Sequence, residues 1–358
     1  MSSLNSLVPF EWFEIASKSR SPDLRVGHSS TFHSSSSNIY LIGGANPSEC
    51  FADVYSLSLP SKDSETFSWT KLIGEDAALR RYEHSAVLSS ENHDEIVFFG
   101  GANTENNFND VHVLNISTKT IENRTPKDNK LVSPRTHHSS CCIQNGLYIF
   151  SGGHQGVKAV DDAELYRFDL GNSLFVFESN FKTTNLLASR SWSCVPAHGS
   201  PPEQRHGHCL LSLGNRRLYL HGGMDGRTFF SSLYSIDVTE NPPRWTEHPS
   251  SSSQPMARAA HGGVSIENTS TLVIFGGLSR NGQALNDTWS WSAENQQWTE
   301  IICRSVPAAR LDFAYCLVQS KDNEQDSEKI SSFIFIHGGT NTQGDVFDDC
   351  FLLRLTFD

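Results

Sequence analysis

Basic side chains are scarce in this 358-residue sequence: 28 Lys and Arg stand against 40 Asp and Glu, for a formal net charge of −12. Nucleic-acid phosphates need a clustered basic face, and that balance argues against nucleic acid and against strong direct binding to anionic lipid. No apolar run approaches membrane-spanning length, so no transmembrane segment is expected. The N-terminal stretch from Met1 to Phe10 has no basic region followed by an apolar one and does not read as a signal peptide. Eight cysteines include no Cys-x-x-Cys pair, and without a secretory signal they read as reduced, buried fillers. Catalytic signatures are missing as well. There is no Gly-x-Ser-x-Gly, no phosphate-cradling Gly-x-x-x-x-Gly-Lys-[Ser/Thr], no Gly-x-Gly-x-x-Gly and no His-Glu-x-x-His. No cofactor, metal or catalytic residue is therefore assigned, and no enzyme activity is expected.

What the sequence has is repetition. Six diglycines, Gly43-Gly44, Gly100-Gly101, Gly152-Gly153, Gly222-Gly223, Gly276-Gly277 and Gly338-Gly339, recur every 52 to 70 residues. Each follows a short apolar run rich in β-formers, such as Ile39-Tyr40-Leu41-Ile42 or Phe333-Ile334-Phe335-Ile336, too short for a helix. Seventeen to nineteen residues before five of the pairs comes Arg-x-x-His: Arg25/His28, Arg81/His84, Arg135/His138, Arg205/His208 and Arg258/His261. At the sixth, Phe313 replaces the His after Arg310. Nine or ten residues after each second Gly an acid opens a further strand, Asp53, Asp110, Asp162, Asp287 or Asp349, with Ser232 in the fourth unit. Trp69, Trp192, Trp245 and Trp298 close four units, and the second offers Ile121. Gly262-Gly263 falls in the Arg-x-x-His phase and is not a seventh repeat.

Trp12 fits the closing-Trp spacing without three strands before it, and the last unit ends without a fourth strand. The two deficits complement each other. The expected fold is all-β: a six-bladed propeller closed by an N-terminal strand that completes the last blade beside Cys350 to Leu355. The units are a single domain over 9–358, with blades at 25–72, 81–124, 135–195, 205–248, 258–301 and 310–358 plus 9–16. Recurrence assigns the repeated Arg and His to structure, each tying its blade to a neighbour or a turn carbonyl. His137-His138 cannot readily share a metal on a strand, where adjacent side chains point to opposite faces. His206 and His208 could share a face but lack further convergent ligands.

The apolar-run diglycine, spaced Tyr and closing Trp resemble the kelch repeats across all six units. Within that family, Arg25-Val-Gly-His-Ser29, Phe99-Gly-Gly-Ala-Asn103, Arg205-His-Gly-His208 and the ending Gly338-Gly-x-Asn-Thr-x-Gly344 with Asp348-Asp-Cys350 are similar to its Rab-effector members. That resemblance implies a non-enzymatic cytoplasmic scaffold, partly peripheral on endosomal membranes through its partners. It also implies binding to a GTP-bound late-endosomal Rab GTPase, transport from endosomes to the trans-Golgi network, and a phosphoinositide kinase as a further partner. It supplies no motif for Rab-contacting residues. Two other readings stand beside it: a metal-dependent enzyme on a kelch scaffold, and a ubiquitin-ligase substrate adaptor. The Glu-x-x-x-Asp-x-x-x-His iron motif of kelch specifier proteins is absent, since Leu57 follows Glu49 and Asp53 at the His place.

In an up-and-down blade with strands a to d, the b–c and d–a loops share one face, and that face is the candidate protein-binding surface. From b–c loops it carries Asn46, Phe51, Asn103, Phe108, His154, Lys158, Asp225, Arg227, Phe229, Arg280 and Asn341. From d–a connections it carries Arg25, Tyr82, His137, His206 and Leu311. Exposed aromatics and Arg are what binding hot spots use, although the shared phase of Phe51, Phe108 and Phe229 also suits packing between blades. The opposite face holds the serine-rich turn at Ser34 to Ser37 and the charged insertion 321–329, which reads as a solvated loop.

Overall fold

The computed structural model describes residues 4, 7–60, 66–90, 92–154, 158–171, 190–323 and 326–357. Its strands form six blades whose four main strands pair antiparallel in the order a, b, c, d; His198–Gly199 adds in parallel beside strand d of blade 4, and Gly153–His154 pairs with Lys158–Ala159 in a separate two-stranded sheet. Blade 1 runs Ser29–His33, Asn38–Ile42, Val54–Ser58, Ser68–Ile73, and blade 2 runs Ser85–Leu88, Glu95–Phe99, Val111–Asn115, Thr120–Asn123. Blade 3 is Ser140–Ile143, Gly146–Phe150, Leu165–Asp169, Trp192–Cys194; blade 4 is Cys209–Leu213, Arg217–His221, Leu233–Asp237, Arg244–Glu247. Blade 5 is Gly262–Ile266, Thr271–Ser279, Ala284–Ser292, Gln297–Ile301. Blade 6 takes Ala314–Asn323, Asp326–His337 and Cys350–Leu355 from the end of the chain and Trp12–Glu14 from its beginning. The closing strand pairs antiparallel, Trp12 with Leu353 and Glu14 with Phe351.

Strand b is almost entirely buried in blades 1 to 5 because both of its faces pack on neighbouring blades, which is why its sequence is a continuous apolar run rather than an alternating one. Ile39 and Leu41 of blade 1 face Phe333, Phe335 and Leu352 of blade 6, whereas Tyr40 and Ile42 face Ile96 and Phe98 of blade 2. The closing aromatic has a defined partner: it packs on the strand-b residue just before the glycine turn of the preceding blade. Trp12 meets Phe275 (ring centroids 4.7 Å), Trp192 meets Phe99 (4.9 Å), Trp245 meets Phe150 (5.6 Å), Trp298 meets His221 (5.0 Å) and Trp69 meets His337 (5.6 Å). Ile121 serves the same junction in blade 2, against the cluster that holds Ile42.

Two details depart from the sequence reading. In blade 3 the diglycine is one residue out of phase: Ser151, with φ +44°, occupies the place that Gly43 holds in blade 1, and Gly152 takes the place of Gly44. The charged segment 321–329, read as a loop, instead extends the a–b hairpin of blade 6, with Lys321 opposite Ile330 and Asn323 opposite Asp326; residues 324–325 lie outside the described residues. No helix among the described residues is long and apolar enough to cross a membrane.

Candidate functional site

Every position of the Arg-x-x-His motif has a task on the face that carries the b–c and d–a loops. The arginine is fully buried and turns inside its own blade. Its Nη1 donates to the carbonyl that opens the glycine turn, as Arg25 does to Gly43 (2.8 Å), Arg81 to Gly100 (2.8 Å) and Arg310 to Gly338 (2.9 Å). Its remaining donors meet the acid that opens strand c: Arg81 with Asp110, Arg258 with Asp287 and Arg310 with Asp349 are two-pronged, at 2.6–3.0 Å. Arg25 and Arg135 reach Asp53 and Asp162 through one contact each, at 2.8 and 3.0 Å. Burying a guanidinium is costly unless it is paired and its donors are filled, and an aromatic from the b–c loop completes the cover. Phe51, Phe108, Phe230 and Phe347 lie 4.0 to 4.7 Å from the guanidinium carbons of Arg25, Arg81, Arg205 and Arg310.

The first x pairs with the residue after the glycine turn, as Val26 does with Ala45 and His206 with Met224. The second x closes the pore. Gly27, Glu83, His137, Gly207, Ala260 and Asp312 all have φ between +45° and +64°. Their amides form a closed cycle in which Gly27 donates to Asp312, Asp312 to Ala260, Ala260 to Gly207, Gly207 to His137, His137 to Glu83 and Glu83 to Gly27. A second, wider ring runs from the glycine turns, where each second-position amide donates to the arginine carbonyl of the next blade: Gly44 to Arg81 and so round to Gly339 to Arg25. A Cβ on Gly43 would lie 2.5 Å from the Arg81 carbonyl oxygen, so in blade 1 a side chain there would clash, whereas blade 3 holds Ser151 at the equivalent place.

The motif histidine reaches the preceding blade. His84 and His138 bond Ser29 and Ser85 (2.9 Å each), while His28 and His261 bond His337 and His221 (2.8 and 3.0 Å). Phe313 needs no acceptor, and the serine place before it is Gly262, where a Cβ would meet the Phe313 ring at 2.7 Å. Burial pushes His84, His208, His221 and His337 down to about 3 and takes His28, His138 and His261 well below their ordinary value. His137 is the exception. Burial opposes its charge, but Glu83 and Asp312, each 2.9 Å from one ring nitrogen, raise it well above the ordinary value. This triad sits on the pore-closing ring. Beneath it a central cavity of about 680 Å³ is lined by the innermost strands, and Tyr315 of blade 6 reaches across it to Cys209 of blade 4 (3.7 Å). Among the described residues no group of three or more His, Cys, Asp or Glu is placed to hold a metal.

The sequence-selected face divides accordingly. Arg25, Phe51 and His206 are buried and are withdrawn from any contact surface by the arginine cage and the turn pairing just described. Asn46, Asn103, Asp225 and Asn341 are half-buried turn braces: each side-chain oxygen accepts two backbone amides of its own b–c loop, at 2.7–2.9 Å. Phe108 covers Arg81, and Phe229 is not its counterpart; Phe230 is, with Phe229 pairing to Met224 in the turn. Tyr82 and Leu311 are half-buried and bridge to Ala102 and Thr340, and His137 belongs to the triad. His154, Lys158, Arg227 and Arg280 remain exposed, on the b–c loops of blades 3, 4 and 5. On the b–c loops of blades 1, 2 and 6 the exposed charges are Glu49, Glu105, Asp345 and Asp348, and on blade 3 Asp161 and Glu164 are exposed as well, Asp161 paired with Lys158 at 3.0 Å. The face is thus acidic on blades 1, 2 and 6, mixed on blade 3 where Lys158 is paired with Asp161, and basic at Arg227 and Arg280 on blades 4 and 5, a pattern carried by the non-repeating positions.

The family model described as the KLHDC2/KLHL20/DRC7 Kelch-repeats domain matches residues 4–170 and 172–357. The "Rab9 effector protein with kelch motifs" of Mus musculus is 31% identical over 95% of this chain and 92% of its own length. The protein of that name from Rattus norvegicus is 30% identical over 95% and 94%. That from Homo sapiens is 34% identical over 62% of this chain and 55% of its own length.

Proposed function

The chain belongs to the kelch-repeat β-propeller family, and from that premise we propose that it is a non-enzymatic effector scaffold that binds a GTP-loaded Rab GTPase. The observation that carries this reading is similarity along nearly the whole length of relatives whose name is that of Rab9 effectors. The division of labour in the repeat supports it. Five of the six motif Arg and nearly all the motif His are consumed by buried pairs inside and between blades, leaving the b–c loops as the variable part of a rigid frame. Their exposed arginines, Arg227 and Arg280 on blades 4 and 5, steer an acidic surface, and an uneven charge distribution over the face orients its partner on approach. Nucleotide dependence follows if the scaffold touches the switch segments that only the GTP state orders. In this reading the protein acts in transport from endosomes to the trans-Golgi network, reaching the membrane through its partners, a phosphoinositide kinase among them.

The test is the affinity of the purified chain for Rab9 loaded with a non-hydrolysable GTP analogue or with GDP. At least tenfold tighter binding of the GTP form is expected. Equal affinity, or no binding to either, overturns the reading.

A further inference from the structure

Five of the six architectural arginines meet a carboxylate, and the sixth does not. In blade 4 the acid that opens strand c is replaced by Ser232, whose hydroxyl is 3.4 Å from Arg205 Nη1. Arg205 keeps the rest of its cage: Nε donates to the Glu203 carbonyl at 2.8 Å, Nη1 to the Gly222 carbonyl at 3.0 Å, and Phe230 lies 4.0 Å from the guanidinium carbon. Where Nη2 in blades 2, 5 and 6 carries the second prong to the acid, no described carboxylate lies within ion-pair distance of Arg205, and the side-chain groups that meet its guanidinium are the hydroxyls of Ser232 and Tyr234. The side chain is nonetheless 1% exposed. Glu203 and Glu247 are the nearest acids, and together with the Tyr234 hydroxyl they offset only part of the burial, which brings Arg205 down to about 10.

The place of the missing carboxylate can be reached from outside. In blades 2, 3, 5 and 6 the corresponding Asp side chains are 22–28% exposed, although the arginines they bind are all but fully buried. A carboxylate entering blade 4 from solvent would occupy the position that Asp287 holds in blade 5, with the guanidinium fork already fixed by its carbonyl and aromatic contacts. Pre-organisation of that kind is what makes Arg selective for a planar two-oxygen acceptor over a simple negative charge. The exposed Arg227 stands on the same b–c loop.

We propose that Arg205 is a receptor for an aliphatic carboxylate supplied from outside the chain, the Asp or Glu side chain of a protein docked on the b–c face, which completes the sixth arginine–carboxylate pair. The site itself does not depend on which protein docks, so its test needs no GTPase and can fail independently of the effector reading. The thermal midpoint of the full chain is measured with increasing sodium acetate, N-acetylaspartate N-methylamide or sodium phosphate, each balanced with sodium chloride to constant ionic strength. Wild type should gain roughly 2 °C or more with either carboxylate, saturably. Ser232→Asp places the carboxylate in the chain: it should start at a higher midpoint and lose the response at least tenfold, whereas Ser232→Ala should keep it. An equal response of wild type and Ser232→Asp would mean an unspecific salt effect and overturn the assignment. So would phosphate matching acetate, or a wild type that responds to neither carboxylate.

Discussion

Mild acid should unfold this propeller, because its blades are joined through neutral imidazoles. Seven histidines, 28, 84, 138, 208, 221, 261 and 337, have their protonated form suppressed by burial, four of them to about 3. In the unfolded chain the same rings titrate near 6.5. A group whose native pKa is depressed gives its full stability above the unfolded value and loses it as pH falls towards the native value, because the unfolded state takes up protons that the folded state refuses. At pH 5 each of the four whose value is about 3 has lost about 2 kcal/mol, or about 8 kcal/mol together, and the other three act in the same direction. Domains have about 5–15 kcal/mol to lose. Asp110, held low by His112 and Arg81 against the effect of burial, adds to the acid loss at still lower pH. The Glu83–His137–Asp312 triad has the opposite sign: His137 is raised, so its contribution is present below pH 6.5 and fades as pH rises through its native value. One residue cannot balance seven. Thermal melts followed by circular dichroism at half-unit steps from pH 7.5 to 4.5 should show a midpoint that is flat above about 7, falls steeply below 6.5, and reaches acid unfolding near pH 5. His208, which has no hydrogen-bond partner on either ring nitrogen among the described residues, isolates the effect. His208→Phe copies the choice already made at Phe313 and should reduce the slope by about 1.4 kcal/mol per pH unit. A midpoint constant within 2 °C from pH 7.5 to 5, or an unchanged slope in the variant, would refute the reasoning.

Ring closure and blade complementarity give two further expectations. Trp12→Ala removes a side chain that is 2% exposed and packed on Phe275, and should cost about 3–5 kcal/mol in chemical denaturation, with the N-terminal strand becoming the first site of limited proteolysis; a loss below 1 kcal/mol would mean that the closing strand does not hold the ring. Gly262→Ser drives a Cβ into the Phe313 ring and should cost about 1–3 kcal/mol, and adding Phe313→His should recover most of it by recreating the His–Ser pair seen between His84 and Ser29; strictly additive losses in the double variant would contradict this pairing of blades 5 and 6.

The architecture was legible from recurrence because packing between blades imposes the same demand six times. The Trp12 closure could be found from a spacing, since a strand missing at one end and surplus at the other leave one consistent pairing. The misreadings have local causes. Ser151 stands in the left-handed conformation where the pattern demands Gly, so a search for Gly-Gly slides one residue to Gly152-Gly153. Two adjacent phenylalanines made Phe229 look like the counterpart of Phe108, and only the stacking on Arg205 singles out Phe230. The candidate face was the less legible part. Asn46, Asn103, Asp225 and Asn341 look like available polar side chains, but a two-amide brace of a short turn is a geometric fact with no sequence spacing of its own. The Glu83–His137–Asp312 triad includes a direct contact between residues 175 positions apart, His137 and Asp312, and is held by a backbone ring that depends on six positive φ values. What signals the uneven charge of the rim is the non-repeating residue in each b–c loop, read blade by blade.

The central claim is that the exposed arginines of this rim engage the GTP-bound partner while the repeat residues serve only the frame. Its most direct test is calorimetric titration of Rab9 carrying a GTP analogue into wild type and into the Arg227→Glu, Arg280→Glu double variant, whose side chains are exposed in the native fold. The account predicts at least tenfold weaker binding in the variant, a steeper salt dependence for wild type and thermal midpoints within about 2 °C of each other. Unchanged affinity in a folded variant would contradict it.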